Sequence, residues 1–309
     1  MAIKAIVTMM PMMSLVPSKV TMAAIIAELH LEGQAKRRIW LSFGKEKVDY
    51  LQMGNAISEA TKENIALSER SYIDLYCKRY EGIPFPRYFD DELRDMYDHN
   101  FSEFPVRVTE DDLEIIKRIK AERGEDFIKI SCHKKSLYLC GAGFEEEALL
   151  TLAKEDYLSF DVPPLDFLTY KRGSEHPDLF VDLIKTEKQY YGPEYGESFC
   201  ERRWLRDLGK IKEGGNGLDA WAVYDKEKII GYCYSYFDHD VVCIDGLLVI
   251  KEYRNRSVAS SLIKTVANYY ACPIYLHASE DDTPKELYYK LGFEKVDVVY
   301  DYLRLDEKE

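Results

Sequence analysis

An α/β (α+β) protein is the fold class this sequence predicts, on three observations. Stretches of helical period alternate with stretches of period two along the whole chain. A length of 309 residues suits two domains of roughly 150 residues better than one. Hydrophobic residues make up 46% and charged residues 31%, enough apolar surface for folded cores and unlike a disordered composition.

The elements follow in order. Ile3 to Met9 reads as a strand, and this apolar start is expected to be folded strand rather than a signal peptide, because no Ala-x-Ala-like cleavage site follows it. From Ser18, the positions Val20, Met22, Ile25, Ile26 and Leu29 keep helical spacing, closed by Gly33. Ile39 to Phe43 and Val48 to Met53 read as short strands, and Asn55 to about Tyr80 as a long helix that Gly82-Ile83-Pro84-Phe85-Pro86 cannot continue. A helix is expected from Asp90 to Tyr97, extended chain at Val106 and Val108, and an amphipathic helix from Glu110 to Arg123. Phe127 to Ser131 and Leu137 to Cys140 are strand candidates, and Phe144 to Ala153 reads as a helix.

Val162-Pro163-Pro164 marks the expected boundary, since two prolines hold an extended linker. The expected domains are residues 1–162, of unknown role, and 165–305. In the second, Leu165 to Tyr170 reads as a strand, and Leu179 to Tyr191 and Glu197 to Leu208 as helices. Ala220 to Tyr224, Ile229 to Phe237 and Val241 to Ile250 form an antiparallel meander joined by short polar turns. A strand-to-helix junction at Lys251 to Ala259, a helix to Tyr270, a strand Ile274 to His277, a helix Thr283 to Leu291 and a strand Val296 to Leu303 complete the order.

Charge and cysteines narrow the function. Lys and Arg total 42 against 55 Asp and Glu, a net −13, which argues against nucleic acid as a partner. No uncharged apolar stretch reaches the ~18 to 20 residues needed to span a bilayer, so no membrane partner is expected. Seven cysteines without a C-x-x-C make neither a disulfide framework nor a zinc site, and reduced thiols fit a cytoplasmic protein. Cys132-His133 has no spaced partner ligands, so no metal is expected. Gly214-Gly215-Asn216-Gly217 lacks the Lys and Ser/Thr of a phosphate loop and precedes a strand, so it reads as a connection.

The chemistry concentrates at Leu247 to Leu262. A strand ends and a helix begins within about eight residues, leaving main-chain N–H groups free to converge on an anion. Arg254 and Arg256 add positive charge, and the small Ser257, Ala259 and Ser260 let a phosphate approach closely. A pyrophosphate cradle is the reading.

This segment resembles the acetyl-coenzyme A motif of the GNAT acyltransferase superfamily, V-x-P-x-[YF]-[RQ]-x-x-G-x-[GA], laid over Val249 to Ala259. Val249, Tyr253, Arg254 and Ala259 match, while Ser257 replaces the usual Gly and Lys251 the frequent Pro. Leu287-Tyr288-Tyr289-Lys290-Leu291-Gly292-Phe293 resembles the family's L-Y-x-K-L-G-F element. The resemblance, over about residues 165 to 305, implies a mixed, mostly antiparallel sheet flanked by helices. One reading of residues 1–162 is a degenerate copy of the same fold.

The resemblance further implies an acetyl-coenzyme A dependent N-acyltransferase that moves an acetyl group to a primary amine by direct attack on the thioester. The cofactor contacts it implies fall on Leu247, Leu248, Val249, Arg254, Asn255, Arg256, Ser257, Val258, Ala259 and Ser260, with Asp281 where many members have Asn. The strands carrying Val249 and Leu276 are expected to part for the pantetheine arm. Tyr288 takes the place of the proton donor to the leaving thiolate, and a phenol is protonated at neutral pH as that role requires. For the base, strand alternation puts Asp245 on the face of Leu247 and Val249, and His239 in the preceding turn is the other candidate. The acceptor partner is a small-molecule or peptide amine, with oligomerisation open. A non-catalytic acyl-coenzyme A binding regulatory module is the alternative reading. Tyr232, Tyr234 and Tyr236 share one strand face, either a partly buried sheet surface or an aromatic acceptor wall.

Overall fold

The computed structural model describes residues 56–163 and 165–306. The elements expected before Asn55 lie outside the described residues. Helix α1 (Glu59–Tyr76) starts where the Ser58 hydroxyl accepts the Thr61 N–H at 3.2 Å. Two short strands, β1 (Lys78–Arg79) and β2 (Tyr88–Phe89), pair beyond it around the proline-rich turn. Helix α2 (Glu110–Arg123) is bounded as expected. Thr109 and Asp112 cap its start reciprocally, and Gly124 at φ 64° closes it in the left-handed region.

Four expectations on residues 90–153 fail, each for a visible reason. Residues 90–96 are not helical: the Asp90 carboxylate accepts the N–H groups of Glu92 and Leu93, and Asn100 donates to the carbonyls of Leu93 and Met96. Side chains thus occupy groups that a helix would pair. The extended chain falls at β3 (Ser102–Phe104) rather than at Val106 and Val108. After β4 (Phe127–Cys132), the expected strand at 137–140 is a one-turn helix, α3 (Leu137–Gly141), begun by the Ser136 hydroxyl. The expected helix at 144–153 is strand β5 (Glu145–Lys154), whose run Leu150–Lys154 is buried with a strand on either side. A short continuous apolar run suits a buried helix or a buried strand, and tertiary pairing decides between them.

The remaining elements follow the expected order: β6 (Leu168–Arg172), α4 (Leu179–Tyr195), α5 (Glu197–Glu213), β7 (Leu218–Asp225), β8 (Lys228–Asp238), β9 (Val241–Val249), α6 (Val258–Tyr270), β10 (Ile274–Ser279), α7 (Pro284–Lys290) and β11 (Glu294–Leu305). Among the described residues one nine-stranded sheet runs β3-β4-β11-β5-β10-β9-β8-β7-β6. Only β3 with β4 and β9 with β10 pair in parallel. Strand β5 fills the place between β10 and β11, so strands from both sides of Val162-Pro163 build one sheet. The described residues belong to one compact unit, 55–309, and the boundary expected near 162 falls inside it.

The larger core lies about the centre of the sheet. Val258, Leu262, Ile263 and Val266 of α6 are buried there, each contributing about 1.5–3 kcal/mol over an exposed position. A second core joins Phe104, Ile116, Ile130 and Tyr302 beneath α2.

Candidate acyl-transfer site

The site begins with a slip in the sheet. Tyr234 of β8 pairs with Asp245 of β9, but Tyr232 pairs with Leu248, so Gly246 and Leu247 together stand opposite Cys233. Gly246 sits at φ 58°, where a residue without Cβ is unstrained. The bulge alters the faces. Asp245 shares its face with Tyr234, and Leu248 shares the same face through Tyr232. Val249, opposite Gly231, lies on the other face, so simple alternation placed Asp245 wrongly with Val249.

On its other edge β9 pairs with β10 from Val242 to Ile244 and no further. Strand β10 continues to Ser279 against β5 instead. From Asp245 onward, β9 is held by β8 alone, and the strands of Val249 and Leu276 part as the sequence reading expected.

The chain leaves β9 through a single 3-10 turn, Lys251–Tyr253. The Arg254 Nε–H donates to the Val249 carbonyl at 3.0 Å, and the Tyr253 hydroxyl donates to Asp225 at 2.7 Å. Asn255 and Ser257 both adopt φ 60°. Residues 254–257 are exposed, and the Ser257 side chain makes no cap bond to α6. The N–H groups of residues 255–260 find no acceptor among the described residues. Left-handed residues in such a turn aim successive amides into one concavity, and α6 adds the positive end of its dipole. The Arg256 guanidinium lies 5.4 Å from the Tyr253 ring centroid, beside the same turn.

Tyr288, near the end of α7, is 7% exposed, with its ring 5.9 Å from that of Phe293. Its hydroxyl has no hydrogen-bond partner among the described residues. Burial pushes this phenol up to about 12, and Cys233, Asp245 and Asp282 add to the effect. It stays protonated through the neutral range. Cys233 and Asp245, on neighbouring strands β8 and β9, both lie within electrostatic reach of this phenol. Asp281 is exposed in the turn between β10 and α7.

His239 occupies the β8–β9 turn, near Asp238 and Ser71. Six residues of strand, roughly 20 Å, separate it from Asp245, and the structure does not bring it to the bulge. Cys132 is buried, burial pushing its thiol up to about 12, and His133 faces Glu103.

On the Asp245 face the bulge opens into a cavity of about 820 Å³. Its wall includes Tyr232, Glu187 and Tyr191 of α4, and Arg203 of α5. The Tyr232 hydroxyl donates to the buried Glu187 carboxylate, Arg203 Nη1 lies 3.5 Å from the other oxygen, and the Tyr234 ring stacks on Trp204 at 4.3 Å. The three alternating tyrosines of β8 are thus mainly buried sheet surface, with Tyr232 reaching the cavity. Sequence reasoning missed Glu187 and Arg203. Glu187 had a legible signal, a carboxylate on the apolar stripe of Leu179, Phe180 and Leu183. Arg203 had none.

Residues 180–293 match the family model described as the acetyltransferase (GNAT) family, and the C-terminal part of the chain is a domain of that family. A functionally unknown conserved protein from Staphylococcus epidermidis shares the fold with a TM-score of 0.64 and 16% identity, over 78% of this chain and 99% of that one. A GCN5-related N-acetyltransferase from Kribbella flavida aligns with a TM-score of 0.55 and 14% identity, over 82% of this chain and 98% of that one. At these identities the likeness is one of fold. No curated protein matches the sequence. No helix among the described residues is long and apolar enough to cross a membrane.

Proposed function

We propose that the GNAT domain works as an acetyl-coenzyme A dependent N-acyltransferase, moving an acetyl group to a primary amine seated in the cavity at the β9 bulge. One observation carries this reading. The gap between β9 and β10 has open main-chain amides beyond one end of β9 and a cavity lined by Asp245 on one face.

The residues present fit the cofactor. The amides of Asn255, Arg256, Ser257, Val258, Ala259 and Ser260 would hold its diphosphate, with charge from Arg254 and Arg256. The freed edge of Leu247, Leu248 and Val249 would take the pantetheine arm like an added strand, and Asp281 would stand beside it. Acetyl-coenzyme A, when bound, supplies the acyl group as a thioester.

The chain's own groups then divide the proton work. Asp245, exposed on the cavity wall, receives the proton that the attacking amine must lose. Tyr288, neutral and without a partner for its hydroxyl, donates to the leaving sulfur. Residues 56–163 frame the acceptor, since Asp126 and Glu147 line the same cavity.

The test is Tyr288→Phe. Turnover should fall roughly 100-fold or more while calorimetry finds acetyl-coenzyme A affinity unchanged. Unchanged turnover removes Tyr288 from the donor role. Cofactor binding by the native chain without thiol release in the presence of any amine tried leaves a binding module instead.

A further inference from the structure

We infer that Cys243 takes the acyl group from the coenzyme A thioester as a covalent acetyl-cysteine, with His277 and Glu69 as its positioning residues. This rests on the acyl-transfer reading above and deepens it. Three side chains converge from three elements. His277 Nε2–H of β10 donates to the Glu69 carboxylate of α1 at 2.9 Å, and the same ring is a hydrogen-bonding neighbour of the Cys243 thiol of β9. A thiol, an imidazole beside it and a carboxylate that holds the imidazole are the parts that activate cysteine nucleophiles. Cys243 is half-buried, and the His277 and Glu69 side chains are 33% and 36% exposed, so reactants can reach all three.

The cluster stands at the closed end of the gap in the sheet. Cys243 and Ile244 pair with Tyr275 and Leu276, and the next step would set Asp245 beside His277, but there the strands part. Cys243 and Asp245 lie opposite Tyr236 and Tyr234 of β8, hence on one face, and His277 shares that face with Tyr275. Helix α1 covers the same face, where the Tyr275 hydroxyl donates to Ser68 at 3.0 Å. The open amides of residues 255–260 lie beyond the other end of the gap. An arm anchored there and laid along Val249 to Leu247 carries its thioester toward Asp245, about 7 Å along the strand from Cys243.

Burial raises the Cys243 thiol above its ordinary value; the His277 ring opposes this, and Asp245 and Glu69 add to it. Burial pushes Cys77, Cys132 and Cys272 up to about 12 with no imidazole opposing it. At His277 burial works against the charge, but Cys243 and Glu69 outweigh it and raise the ring well above its ordinary value. The imidazolium therefore stabilises the thiolate rather than taking its proton. Cys233 of β8 and Tyr275, the other titratable neighbours, are both raised by burial and stay neutral. Near pH 7 the thiolate is a minor species, roughly 1% or less, which costs about a hundredfold in rate. An effective molarity of about 10⁵ M or more for an oriented pair outweighs that loss.

The step balances without a further reactant. The thiol proton passes to solvent, Cys243 Sγ bonds to the carbonyl carbon, and the bond from that carbon to the cofactor sulfur breaks. Tyr288 returns a proton to the departing sulfur. One thioester replaces another, and the acetyl group then stands beside Asp245, the group that receives the amine proton.

Acid-quenched mass spectrometry of the full chain with acetyl-coenzyme A and no amine should find one acetyl group on the Cys243 peptide and up to one equivalent of released coenzyme A. Labelling should rise about tenfold per pH unit between about pH 6.5 and 8.5. His277→Gln should slow both this acetylation and the alkylation of Cys243 by iodoacetamide roughly tenfold, while alkylation of the exposed Cys140 is unchanged. Glu69→Gln should slow both roughly threefold. No acetyl group on Cys243 in folded protein that binds acetyl-coenzyme A, or equal labelling of the native chain and His277→Gln, overturns the inference and leaves transfer straight to the amine. Absence of acetyl-coenzyme A uptake by calorimetry removes the acyl-transfer reading instead. The iodoacetamide rates need no cofactor, so a dependence of Cys243 on His277 would then keep the reactive thiol, and its absence would remove that as well.

Discussion

Tyr234 and Asp245 face each other across β8 and β9, and they are the last pair before the register slips by one residue. That slip turns β9 away from β10 and puts a carboxylate on the cavity wall. It depends on Gly246, where an added Cβ would come within 3.2 Å of the Tyr234 ring and 3.6 Å of the Arg203 guanidinium.

Gly246→Val should therefore destabilise the chain by about 1–3 kcal/mol, since a β-branched residue at positive φ is strained and crowds its neighbours. Acetyl transfer should fall further than stability alone explains. Urea denaturation and thiol release measure the two effects, and a variant native in both would show that the bulge is dispensable.

Ser257 holds the left-handed conformation that glycine adopts without strain. Ser257→Gly relieves strain of about 1 kcal/mol but adds a comparable backbone entropy cost, so the melting temperature should barely move. Acetyl-coenzyme A affinity should persist, because the proposed cradle relies on main-chain amides. Ser257→Ile should lose stability and affinity together. An affinity lost with Ser257→Gly would instead assign the grip to the serine hydroxyl.

Asp90 and Arg206 tie the segment before β3 to α5. The Asp90 carboxylate accepts from Arg206 Nη1 at 2.5 Å and from His99 Nδ1 at 3.0 Å, and the guanidinium lies over the Tyr76 ring at 4.2 Å. All the charges in this cluster are buried. Arg206→Met should cost about 3–5 kcal/mol, because it strips the buried carboxylates of Asp90 and Asp207 of their cation, while Asp90→Asn, which leaves Arg206 its bond to Asp207 at 3.1 Å, should cost less. The double variant should cost less than the sum of the two. Strict additivity in urea denaturation would mean the pair does not act as a unit.

Alkaline pH should unfold the chain progressively. Burial raises the phenols of Tyr72, Tyr234 and Tyr275 well above their ordinary value, and Tyr270 and Tyr288 up to about 12. The unfolded chain releases these protons near pH 10, while the folded chain retains them. Stability is thus fully present below about pH 10 and falls between about pH 10 and 12, at up to about 1.4 kcal/mol per pH unit for each phenol. Urea midpoints and phenolate absorbance followed together should fall and rise in step. Midpoints that stay flat to about pH 11 would contradict this.

Local signals made much of the fold legible. Helix α2 was bounded correctly because Glu110 to Arg123 keeps helical spacing and Gly124 ends it. The strand-to-helix junction at Val249 to Ala259 was readable because Arg254, Arg256 and the small residues after them crowd one short segment. Strand β5 was misread because Ala148 to Ala153 is apolar except for Thr151, and such a run carries no clear period until its neighbours are known. Glu145 and Glu147 then looked like the acidic first turn of a helix rather than part of a cavity wall.

Sequence alone determined the elements that short-range spacing dictates, the junction of Val249 to Ala259 and the position of Tyr288, because caps, glycine turns and amphipathic periods act within a few residues. Tertiary structure decided the rest. The insertion of β5 between β10 and β11 and the one-residue slip at Gly246 rest on contacts between residues about 100 or more apart in the chain, or on a register that no local pattern encodes.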